Sequence, residues 1–244
     1  MKKTVVTMII LLLITGVSNT VLGAIFENIK MGIDLPEDKY FDLKAGVESD
    51  DAKIPYYELI LQTTKDKLKR DYNSNGIIYN GISDNLSKEL IISSMRNLKT
   101  QRDHNLNDLK EEDINLIKNE ISTLAENNGL EVVSHKEYNN GQIKFIYSIF
   151  ESDKLLVEQY YTVVNGNAIT IALNTSISND GMTQDNNNEI NELKKIVDTI
   201  EFTEIEERKF YIDEVTVIIA TIIILTIVVI AILVSFLLKR KNEE

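Results

Sequence analysis

The sequence predicts an α+β domain, an antiparallel sheet packed by helices, followed by one C-terminal transmembrane helix. Three observations lead there. Four strand-like runs between residues 130 and 175 are divided by short turn signals; three stretches are apolar on one side at helical spacing; and Val215–Leu238 runs 24 residues without a charge, Gly or Pro. The last of these sets the topology. At 1.5 Å rise per residue it reaches ~36 Å, enough to cross a ~30 Å hydrocarbon core with some tilt. Eighteen of its residues are Ile, Leu, Val or Phe, each of which favours insertion.

The N-terminus has the form of a secretory signal, residues 1–23. Lys2 and Lys3 precede an apolar run from Val5 to Ile14, and Val21-Leu22-Gly23 places small or β-branched residues before a cleavage point at Ala24. An uncleaved anchor is the alternative. Either version sends the domain, residues 24–203, out of the cytoplasm. A juxtamembrane linker follows at 204–214. Lys239, Arg240 and Lys241 then mark residues 239–244 as a cytoplasmic tail, as the positive-inside rule expects. The tail lacks the LPxTG-type pentapeptide of a wall-sorting signal, since the only Leu-Pro is Leu35-Pro36. The expected location is therefore the plasma membrane, in contact with the lipid bilayer.

Within the domain, Ile29, Met31, Ile33 and Leu35 alternate with polar residues, a half-buried strand stopped by Pro36. Tyr40–Lys44 reads as a second strand. A helix is predicted from Pro55, with Tyr57, Ile60, Leu61, Thr64 and Leu68 on one face, closing at Asn75-Gly76 in a left-handed cap. Ile77–Ser83 and Glu89–Ser94 read as strands. Residues 96–108 are polar and read as an exposed connection. Asp108–Glu111 predicts a capping box, opening a helix that buries Ile114, Ile117, Ile121 and Leu124 and ends at Asn127-Asn128-Gly129.

Leu130–Glu137, Gln142–Ser152, Lys154–Val164 and Asn167–Thr175 then form a predicted antiparallel meander. Asn165-Gly166 between β-branched runs is a strong hairpin signal, because a type I′ turn needs positive φ at both positions. After a polar loop at 178–188, Ile190, Leu193, Ile196, Val197 and Ile200 predict a one-sided helix whose apolar face covers the sheet.

Three segments carry a family resemblance: Ile33–Leu43 (IDLPEDKYFDL), the Tyr160–Ile171 hairpin, and the closing Leu193–Phe202 stretch. Together they resemble the PsbP-like superfamily, and more closely its membrane-anchored relatives in Gram-positive bacteria. The resemblance implies an α/β/α sandwich and a non-catalytic binding or assembly role. It supplies no active-site residues, and the photosynthetic role of the founding member is not implied.

The chain's formal charge of −12 lies on the external domain, which argues against nucleic acid as a partner. Without Cys there are no disulfides, thiolate metal sites or Cys nucleophile. Asp71, Asn73, Asn75 and Gly76 match the first half of a Ca²⁺ loop, but Ile82 stands where the bidentate acid belongs, so the segment reads as a helix end. His104 and His135 read as packed or surface residues. Ser134 cannot serve His135, because strand neighbours face opposite ways. Glu111, Glu112 and Asp113 complement a helix dipole, and Asn85 and Asn174 head glycosylation sequons.

The span has no ionisable residue, which argues against a channel or transporter; Thr216/Ala220 and Ala231/Ser235 have small-xxx-small spacing only. The expectation is a non-enzymatic binding module with no cofactor, no metal and no catalytic residues, contacting another envelope protein. Two alternatives remain: an envelope enzyme using carboxylates, which needs two acids in one cleft, or an accessory subunit of a sensor.

Overall fold

The computed structural model describes residues 29–36, 38–177, 186–207 and 222, with residues 186–191 described as backbone only. No helix among the described residues is long and apolar enough to cross a membrane. The predicted leader, and all of the predicted span except Ile222, lie outside them.

A two-residue strand β1 (Met31–Gly32) opens the domain, shorter than the alternation predicts, and pairs with the closing strand β9 (Glu201–Phe202). Strand β2 (Tyr40–Asp42) is also shorter than predicted. Helix α1 (Leu43–Ser49), absent from the sequence reading, begins at once, because the Asp42 carboxylate accepts from the backbone N–H of Ala45 at 2.9 Å. Leu43 and Val47, one turn apart, are its buried face.

The single helix predicted from Pro55 is two. Helix α2 (Ile54–Ile60) carries Pro in its first turn, and α3 (Lys65–Ser74) starts afresh after Gln62 turns left-handed at φ 49°. Thr64 is a cap there and not part of an apolar face: its Oγ1 accepts from Lys67 N at 3.2 Å. The predicted left-handed closure is present, with Gly76 at φ +60°.

Strands β3 (Ile77–Ser83) and β4 (Lys88–Met95) follow as predicted. The connection after them is only partly exposed. It folds into α4 (Leu98–Asp103) and a 3₁₀ turn (Leu106–Asp108), and it buries Thr100, His104, Asn105 and Leu106. Asn97 and Thr100 cap α4 reciprocally. Helix α5 (Glu111–Asn127) buries Ile114, Ile117, Ile121 and Ala125, with Leu124 half-buried. Its N-cap is Lys110, with no side-chain cap bond, so the predicted capping box does not form.

The meander is β5 (Glu131–Asn139), β6 (Lys144–Ser152), β7 (Leu155–Val164) and β8 (Asn167–Ser176). Asn165 at φ 53° and Gly166 at φ +75° make the tight turn between the last two, with Val164 opposite Asn167. Helix α6 (Asn186–Asp198) follows and leads into β9.

Seven strands form one antiparallel sheet in the order β2-β3-β4-β8-β7-β6-β5. Leu193, Ile196 and Val197 of α6 cover one face, against Phe145, Ile169 and Ile171. The opposite face divides: α5 packs on Ile146, Phe150 and Val157, while α1, α2 and α3 pack on Ile77, Ile82 and Ile91. With both faces covered, all ten residues of β7 are buried, the polar side chains of Glu158, Gln159 and Thr162 included. The expected α+β class is therefore observed, an antiparallel sheet between helical layers.

Candidate functional site

The face divided between α5 and the first three helices carries unusual polarity. Strand pairing sets His135, Ser148, Gln159, Ala172, Ile91 and Asn80 in one row across the sheet. Gln159 is fully buried, and among the described residues neither its Oε1 nor its Nε2 has a partner. Beside the row lies a closed network. Tyr72 donates to Asn80 Oδ1 at 2.9 Å, Asn80 Nδ2 donates to Glu89 Oε1 at 2.8 Å, and Asn174 Nδ2 donates to Glu89 Oε2 at 3.1 Å. Glu89 is only 5% exposed and faces no cation in this network. Burial raises its pKa above the ordinary carboxylate range, against the lowering effect of the two amides. Asn174 is itself buried, so its sequon is closed in the folded chain. Asn85 instead orders the β3–β4 turn, accepting from Ser83 and Ser87.

His135 is placed differently from its sequence neighbour Ser134, as strand alternation requires. Its partners are remote: Nε2 lies 2.8 Å from Ser122 Oγ on α5, and Nδ1 lies 2.7 Å from Ser148 Oγ on β6. Ser122 already donates to Lys118 O at 3.0 Å. The consistent arrangement is a neutral ring, with Nε2–H donating to Ser122 and the Ser148 hydroxyl donating to Nδ1. Ser148 has no exposed surface, so no substrate reaches it as a nucleophile. The trio latches α5 to the sheet.

Burial, and then the charge of Lys118, lower the His135 pKa from its usual value. A histidine held neutral contributes stability that is fully present above the unfolded value of about 6.5 and is lost as pH falls through the folded one. The His135 ring is therefore expected to titrate below 6.5 by NMR, and the stability difference between wild type and His135→Phe should shrink on acidification. Titration above 6.5 would contradict this.

A cleft of about 490 Å³ opens between α4 and α5, floored by Tyr161 of β7. Its walls are apolar where Leu116, Ile117, Ile121 and Leu124 line it, and polar where Asn97, Lys99, Thr100, Asp103 and Glu120 do. Lys99 pairs with Glu120 across the two helices. The Asp103 side chain is 14% exposed, and its ion-pair partner, Arg102 Nε, stands 3.6 Å away, beyond hydrogen-bond range. Burial raises the Asp103 pKa despite Arg102 and Lys99. Tyr161 is 7% exposed, and its hydroxyl makes no hydrogen bond among the described residues. Burial raises its pKa as well, helped by the charges of Asp103 and Glu120, which line the same cleft. Two acids thus share a cleft, a convergence that the sequence left open and did not locate. The signal that pointed to it was slight: the capping pair Asn97/Thr100 inside a segment read as loop.

Asp71 to Gly76, the half-match to a Ca²⁺ loop, forms the end of α3 and the turn into β3, with Ile82 buried in the strand. Glu111, Glu112 and Asp113 occupy the first turn of α5, as their dipole reading predicts. His104 caps α4 at φ 59°, ψ −63°, with its Nε2 buried and without a partner among the described residues. Residues 204–206, read as linker, are fastened to the domain. Asn165 Nδ2 donates to Glu204 O at 2.9 Å, Glu206 N donates to Asn165 Oδ1 at 2.7 Å, and Asn105 Nδ2 donates to Glu206 O at 2.8 Å. Among the described residues no group of three or more His, Cys, Asp or Glu side chains is arranged to hold a metal ion.

No protein-family model matches the sequence, and no curated protein does either. Among solved structures, the chain is similar to the solution structure of cyanobacterial PsbP (CyanoP) from Synechocystis sp. PCC 6803, at 12% identity and a TM-score of 0.36, covering 52% of this chain and 75% of that one.

Proposed function

We propose that this protein is a membrane-anchored, extracytoplasmic binding or assembly module of PsbP-like type that contacts another envelope protein and catalyses no reaction. The PsbP-like assignment rests on the three sequence segments named above, and the anchor on Val215–Leu238. The observation that carries the binding role is the apolar rim of the cleft. Leu98 is 70% exposed and Leu116 60% exposed, one on α4 and one on α5. Leu116 lines the cleft and Leu98 stands between two residues that line it, Asn97 and Lys99, and exposed leucines so placed favour a contact surface over a purely solvated one. Proximity crosslinking on intact cells, from a photoreactive residue at position 98, is expected to recover one consistent envelope protein. Recovery of none would overturn the reading.

A second reading, an envelope enzyme working through carboxylates, draws on the shared placement of Asp103 and Glu120. Against it, each already has a basic neighbour in an ion pair. Hydrolysis of envelope glycans by the full-length chain, abolished in Asp103→Asn, would favour this reading.

A further inference from the structure

We propose that the cleft between α4 and α5 binds a small organic cation, a primary ammonium carried on an aromatic or aliphatic body, with the ammonium between the Asp103 carboxylate and the Tyr161 hydroxyl. The inference deepens the binding reading above, since Leu116 both lines this cleft and is exposed at its rim, but binding of the small cation is read without any protein partner.

The volume of about 490 Å³ lies within the range of small-molecule pockets, roughly 300–1,000 Å³. The wall formed by Leu116, Ile117, Ile121 and Leu124 would take an apolar body. The polar floor selects the head group. Asp103 is largely buried and has only a long ion pair, to a guanidinium whose own side chain is 61% exposed. A carboxylate desolvated to that degree, with the long Arg102 contact as its one ion pair among the described residues, keeps lone pairs to spare, and one more donor in the cleft would relieve it. Tyr161 is a second, separate sign: the residue is 7% exposed, yet its hydroxyl oxygen is not an enclosed atom and has no partner among the described residues, so it is open to the cleft the residue lines and can bond a ligand there.

An ammonium has three donors and no acceptor, so it can bond the Asp103 carboxylate and a lone pair of the Tyr161 hydroxyl together. An anion in the same place would meet Asp103 and Glu120, both of which line the cleft. The one cation lining it, Lys99, is engaged by Glu120. Charge complementarity therefore excludes a carboxylate or phosphate head and selects a cationic one.

The test uses the full-length chain in phosphatidylcholine nanodiscs, with leucine methyl groups labelled for NMR. Benzylammonium is the probe, and phenylacetate is the anion of similar size. Saturable shifts of the Leu116 and Leu124 methyls are expected with benzylammonium, with phenylacetate at least about tenfold weaker. Asp103→Asn and Leu116→Lys should each weaken benzylammonium by about tenfold or more, the second without touching the core because Leu116 is exposed. Absence of saturation, equal binding of the two probes, or unchanged affinity in both variants would overturn the proposal.

Discussion

Gly76→Ala is expected to cost about 2–4 kcal/mol, whereas Gly129→Ala costs about 1 kcal/mol, although both glycines close helices with positive φ. The difference lies in what a methyl group would meet. At Gly76, φ is +60° and an added Cβ would sit 2.3 Å from the backbone oxygen of Ser94 and 2.9 Å from Met95 Cγ. That oxygen belongs to β4, and the same stretch is held by Ser94 N donating to Gly76 O at 2.8 Å. Relief requires opening the end of the β3–β4 ladder. At Gly129, φ is +74° and nothing lies within 4 Å, so only the left-handed backbone is strained. Denaturant titration followed by circular dichroism measures both. Equal costs would show that the strand contact is not what demands glycine at position 76.

Glu89 supports the second large effect, and here two substitutions move in opposite directions. Glu89→Gln keeps the shape and removes a charge that burial disfavours. A turn of the Asn174 amide lets its oxygen accept from the new Gln amide. The expected gain near pH 7.5 is about 1–3 kcal/mol, or ~2–12 °C in Tm for a domain of this size. Glu89→Ala leaves the donors of Asn80 and Asn174 unpaired in a buried site. It should lose about 2–4 kcal/mol.

The pH dependence separates these effects from general changes in packing. A carboxyl whose folded pKa is raised contributes stability that is fully present below the unfolded value of about 4.3 and is lost as pH rises through the folded value. The advantage of Glu89→Gln over wild type should therefore be greatest at neutral pH and vanish near pH 4. A constant advantage across that range would contradict a buried charge as its source. Glu192 behaves in the opposite sense. Burial pushes its pKa up, but hydrogen bonds from Lys88 and Lys39 at 3.0 and 3.1 Å hold it below the usual range.

Legibility in the sequence followed periodicity. The meander and the apolar stripes of α5 and α6 were readable because each repeats a local rule over many residues, and the Asn165-Gly166 turn because that dipeptide is specific for positive φ. Failures came where one residue decided an element. Asp42 starts α1 inside a predicted strand, and Thr64 restarts a helix that looked continuous. Both are caps, and a cap is a single hydrogen bond with no period. Residues 96–108 were misread for a related reason. Polar side chains such as Thr100 and Asn105 are buried there because capping and backbone bonds satisfy them, which composition does not reveal. The cleft depends on that segment, so it was hidden with it. Glu89 and Asn174 meet across strands 85 residues apart in sequence, a pairing fixed only by register.

The proposal as a whole depends on a domain held outside the cell by Val215–Leu238. Because the natural chain has no Cys, single cysteines can report topology without background. Asp153→Cys lies in an exposed turn of the domain, and Glu243→Cys lies in the tail. A membrane-impermeant maleimide applied to intact cells should label position 153, and label position 243 only after permeabilisation. Labelling at 243 with protection at 153 would place the domain inside and contradict the account.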